Sequence, residues 1–98
     1  MGTVSRTFED FEDLAEAMYR SGRFVDSSDV ADAAVSAYEA GEYFYAVVSM
    51  VEFAADHQIP LGDFAGEVDR LIIPLFDDEL DLASFREYLD KVPHRRAA

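Results

Sequence analysis

Side chains with chemical potential are abundant in this 98-residue chain but narrow in type: twenty-one Asp and Glu, two His and no Cys. Without cysteine there is no thiolate nucleophile, no disulfide and no Cys-based zinc site. The densest carboxylate group is Asp77, Asp78, Glu79 and Asp81. A calcium loop of the EF-hand kind needs acidic ligands at alternating positions, Gly at the sixth and Glu at the twelfth, and that spacing is not met. The cluster therefore reads as solvated loop charge. His57 and His94 are far apart, and neither sits in a His-x-x-x-His or Glu-x-x-His arrangement that would aim two ligands at one ion. His57 is more simply a favourable partner for a helix C-terminus.

Catalytic patterns are equally sparse. A nucleophilic site would need Ser or Thr beside a His oriented by a carboxylate, whereas the serines fall at helix caps or on helix faces. General acid catalysis needs a carboxyl whose pKa is raised by an apolar pocket, and the sequence does not distinguish one of twenty-one candidates. The glycines, Gly2, Gly22, Gly41, Gly62 and Gly66, form neither Gly-x-Gly-x-x-Gly nor a phosphate-binding loop. The expectation is a protein that is not an enzyme and holds no metal or cofactor.

Charge is more informative. The formal net charge is −13. Residues 1–90 hold five basic residues against all twenty-one acids, a balance of −16, and Lys91, Arg95 and Arg96 return +3 at the end. Such a field repels phosphate backbones and anionic headgroups, which argues against direct nucleic-acid or membrane-surface binding. The first seven residues lack an apolar run behind a basic segment, so no secretory signal is expected there and the chain reads as already mature. The longest apolar stretch, Tyr43 to Ala55, is interrupted by Ser49 and Glu52 and is shorter than the ~20 residues of a membrane span.

Half of the residues are hydrophobic, enough for one core at this length and not for two. Apolar spacing of three and four predicts a first helix over about Phe8 to Arg20, capped by Thr7 and stopped at Ser21-Gly22. Phe24 and Val25 then plug the core. A second helix is expected from about Ser28 to Ala40, with Val30, Ala34 or Ala33, Ala37 and Tyr38 inward and Gly41 ending it. Glu42 to His57 is apolar almost all round, as a central helix would be, although its β-branched and aromatic first half also admits a strand. Gln58-Ile59-Pro60-Leu61 reads as a turn. The fourth helix restarts at Gly62-Asp63, carries Phe64, Val68, Leu71, Ile72 and Leu75, and must end or kink around Ile73 to Phe76 because of Pro74. After an acidic loop, Asp81 caps a last helix from about Leu82 to Lys91, and residues 94–98 read as a frayed tail. The predicted architecture is all-α: a compact single-domain bundle of about five helices over residues 1–98.

Tyr43, Phe44 and Tyr45 span about 200° of a helix, so they cannot share one buried face: either one of them is exposed or neighbouring helices cover them all. Tyrosine is a preferred interface anchor. Tyr45 or Tyr38, ringed by Asp32, Glu39 and Glu42, forms one candidate partner-binding surface, and Asp78 in the acidic loop another.

From Tyr38 to Leu89 the order of motifs, Gly41-Glu42-Tyr43 with Ala46 and a long apolar helix, then Ile59-Pro60-Leu61, then Leu80-Asp81-Leu82 with Phe85 or Tyr88, resembles the MafI-like immunity proteins. These are small acidic helical antitoxins encoded beside polymorphic bacterial toxins, a group similar to colicin-type immunity proteins. The resemblance implies a cytoplasmic, non-enzymatic bacterial protein that binds a cognate toxin, commonly a basic nuclease, and occludes its active site. A competing expectation is a helical interaction or scaffold module in which the apolar third helix and Phe24 face a second copy of the chain, as a homodimer, or another helical protein. A small carboxylate enzyme would require a closed pocket holding two carboxylates.

Overall fold

Short polar side chains and left-handed residues fix where each helix begins and ends. The computed structural model describes residues 8–26 and 32–93, and the described residues form five α-helices, one 3-10 turn and no strand. They are α1 (Phe11–Ser21), α2 (Ala33–Glu39), α3 (Tyr43–His57), α4 (Phe64–Leu71), the 3-10 turn Ile73–Leu75, and α5 (Glu79–Lys91). The all-α expectation holds, and the strand alternative for the start of α3 is excluded.

Three helix starts differ from the sequence reading. Asp10, not Thr7, caps α1: its carboxylate accepts the Asp13 N–H at 3.0 Å, while the Asp13 carboxylate reaches back to the Glu9 N–H at 3.3 Å. Thr7 lies outside the described residues. Phe8 is consequently non-helical, half-buried, and packs its ring 6.3 Å from that of Phe64. α2 begins at Ala33 rather than Ser28, because Asp32 takes the cap: Oδ1 accepts from Ala34 and Val35 at 2.8 and 3.1 Å, and Oδ2 from the Asp26 N–H at 2.6 Å. Ser28 and Val30 lie outside the described residues, as does the tail at 94–98. α5 is capped by Asp78 instead of Asp81, with Oδ1 accepting from Leu80 and Asp81 at 2.8 and 3.3 Å. In each case a nearby aspartate with extended or near-extended backbone satisfied the orphan N–H groups of a first turn.

The stops follow the sequence more closely. Gly22 and Gly41 take the left-handed conformation, at φ 72° and 79°. At Gly41 the Glu42 N–H donates to Ala37 and the Gly41 N–H to Tyr38, a double closure of the last turn of α2. α4 stops at Leu71, and Pro74 sits inside the tighter 3-10 turn. With three residues per turn instead of 3.6, that turn swings Leu75 off the stripe it was expected to continue, and Leu75 is 48% exposed.

α3 is the central helix. Ala46, Val47, Met50, Val51, Ala54 and Ala55 are all buried, and α3 packs against α1, α2 and α5. Leu14, Ala15 and Met18 of α1, Ala34 of α2, Val68 of α4, Phe85 of α5 and Phe24, Leu61, Ile72 and Val92 outside the helices complete the core. Phe24 is fully buried, as expected, edge-on to Phe64, and the Arg23 guanidinium lies over both rings at 4.9 and 5.6 Å. No buried side-chain polar atom among the described residues lacks a partner.

Candidate partner-docking groove

α3 and α5 lie side by side in the same sense. Phe76, just before α5, packs its ring 5.1 Å from both Phe44 at the start of α3 and Phe85 of α5. At the other end the Gln58 side chain, following α3, donates to the Lys91 carbonyl that ends α5. Between them runs an open groove of about 650 Å³.

Each wall is one helical stripe. α3 contributes Tyr45, Val48, Ser49 and Glu52, and α5 contributes Asp81, Ser84, Phe85 and Tyr88. Both sets have the i, i+3, i+4, i+7 spacing that puts residues on one face. Phe44, Phe11 and the connecting Leu75, Phe76 and Asp77 close the remainder. The lining holds three carboxylates, Glu52, Asp77 and Asp81, and no Lys, Arg or His. Asp77 and Asp81 stand at the end where α5 begins, and Glu52 lies two helical turns along α3 from Tyr45. The pKa of Glu52 is raised, first by burial and second by the charge of Asp56. A groove between α4 and α5, of about 750 Å³, is instead mixed in charge, with Asp69, Arg86 and Asp90.

The residues singled out from sequence separate in space. Tyr45 is the exposed member of its aromatic triplet, at 61%, and stands on the lip of the groove. Tyr38 is half-buried, stacked on Tyr19 at 4.0 Å and edge-on to Tyr43 at 5.5 Å. Tyr43 and Tyr45 diverge by about 200° round α3, so the Tyr38 cluster and the groove occupy different faces. The carboxylates of Asp32 and Asp78 are engaged in capping α2 and α5. Their first role is local structure.

Sequence reasoning passed over Val48, Glu52, Ser84, Phe85 and Tyr88 as groove residues. α3 reads as apolar all round, which hides a face, and Phe85 and Tyr88 read as core. The signal present in the sequence was the matched spacing of 45/48/49/52 and 81/84/85/88.

Among the described residues no group of three or more His, Asp or Glu is placed to hold a metal ion, and no helix is long and apolar enough to cross a membrane. Compared with protein-family models, curated protein sequences and solved structures, the chain matches none.

Proposed function

We propose that this protein is an acidic immunity protein that binds a basic toxin domain, a nuclease by its expected chemistry, and neutralises it by covering its active site. The observation that carries the reading is the groove: mainly aromatic and aliphatic, with Ser49 and Ser84 between, three carboxylates in Glu52, Asp77 and Asp81, and no basic residue in its lining, in a chain of net charge −13. An apolar centre with a charged rim is the usual anatomy of a protein-binding surface, and a strong negative field accelerates encounter with a cationic partner. The motif order from Tyr38 to Leu89 supports the same reading. Three carboxylates in one groove would also suit acid–base chemistry, but an open groove does not exclude water as such chemistry usually requires.

Co-expression with the adjacent reading frame tests the proposal. Growth arrest by the neighbour alone, relieved by this protein through a one-to-one complex, is the expected result. A harmless neighbour that forms no complex overturns it. A stable homodimer by light scattering, with no basic partner, would favour the scaffold reading instead.

A further inference from the structure

The groove has a pattern along its length as well as a composition. Carboxylates stand at both ends, Asp77 and Asp81 where α5 begins and Glu52 farther along α3, while Phe44, Phe76 and Phe85 form an aromatic cluster linked by ring contacts of 5.1 Å. Each stripe spans eight residues, seven rises of 1.5 Å or about 10 Å. That is the length over which a helix displays side chains at i, i+4 and i+7.

From this we infer that the groove accepts one amphipathic basic segment of a protein partner, with an aliphatic or aromatic side chain against the Phe44–Phe76–Phe85 cluster and flanking Lys or Arg side chains on Glu52 and on Asp77 or Asp81. The inference rests on the immunity reading for the partner's identity but on the groove alone for its chemistry.

Charge complementarity selects this occupant over a second copy of the chain. Two acidic grooves repel, and the lining of this one holds no Lys, Arg or His to pair with the carboxylates of a second copy. Among the groove's lining residues none supplies a cation for Glu52. Glu52 is half-buried among groove residues, so a cation reaching it is partly desolvated and discriminates more than one on an exposed rim.

Three synthetic helical peptides test this: one with Leu at i, i+4 and i+7 flanked by Lys, one with the same Lys and Ser in place of Leu, and one with Leu and Glu in place of Lys. Affinity is read by anisotropy and position by amide chemical shifts. The Leu/Lys peptide is expected to bind at least about tenfold tighter than the Ser/Lys peptide, with shifts confined to 44–52 and 75–88, and the Leu/Glu peptide is expected not to bind. Glu52→Gln is expected to weaken the Leu/Lys peptide about fivefold, and Ser84→Arg, at an exposed α5 position, by more. Equal affinity for the Leu/Lys and Ser/Lys peptides, or shifts spread over all acidic surfaces, overturns the inference. In the toxin assay, Ser84→Arg that still neutralises also overturns it while leaving the immunity reading intact. Groove-confined peptide binding with no neutralisation by the wild type supports the groove and removes the immunity reading.

Discussion

Gln58 Nε2 donates to the backbone carbonyl of Lys91 at 3.0 Å, tying the end of α3 to the end of α5 across the sequence. The same amide donates to the Ala55 carbonyl at 2.8 Å, and the residue itself is left-handed at φ 56°, the one non-glycine so placed among the described residues. A position that commonly holds glycine is here held by a side chain that joins two helices.

Gln58→Ala and Gln58→Gly separate these contributions. Alanine keeps the left-handed strain and loses both hydrogen bonds, for an expected loss of about 1–2 kcal/mol. Glycine loses the same bonds but relieves the strain, so its loss is expected to be smaller than alanine's by about 1 kcal/mol. Urea unfolding of the two variants measures the difference. Equal losses would show that the backbone conformation contributes nothing.

Glu52 makes the stability of the domain depend on pH in a direction opposite to a paired carboxylate. Because its folded-state pKa is raised, the native state binds the proton more tightly than the unfolded chain, and Glu52 lowers stability as pH rises from its unfolded value through its folded one. Glu52→Gln removes that slope. The variant is expected to be more stable than wild type at neutral pH, with the gap closing below about pH 4. Thermal melts across pH give the comparison, and a gap that widens toward acid would contradict the assignment.

Asp32 holds a helix of only seven residues and also the incoming chain at Asp26. Asp32→Ala is expected to cost about 1–2 kcal/mol, and Asp32→Asn much less, because an amide oxygen still caps. Loss of far-UV helicity in the alanine variant, with recovery in the asparagine variant, distinguishes capping from an effect of charge alone.

Phe24 is the largest fully buried side chain outside the helices. Phe24→Ala is expected to cost about 3–5 kcal/mol, a large part of the 5–15 kcal/mol typical of a domain. Chemical denaturation measures it, and a change below about 1 kcal/mol would mean that Phe64 and Arg23 collapse into the space.

Helix number, the central place of α3, the plugging by Phe24 and the divergence of Tyr43, Phe44 and Tyr45 from one face were legible because each follows from periodicity or helical geometry within one segment. The starts of α1, α2 and α5 were not, because several aspartates compete at each start and only the three-dimensional path decides between Asp78 and Asp81. The groove was half legible: Tyr45 was found, but its partners Glu52, Ser84 and Tyr88 belong to two helices whose adjacency no local pattern states. Asp32 and Asp78 drew notice as surface charge, and the structure gives them first to the backbone.

α5 packs chiefly on α3, with the Phe76–Phe85 ring contact and the Gln58–Lys91 bond as its further ties. A helix held so one-sidedly can detach while α1 to α3 remain folded, a sub-global opening that amide hydrogen exchange detects. That opening dismantles one wall of the groove. An occupant touching both walls would therefore act as a clasp, slowing exchange along the whole of α5, including amides it never contacts.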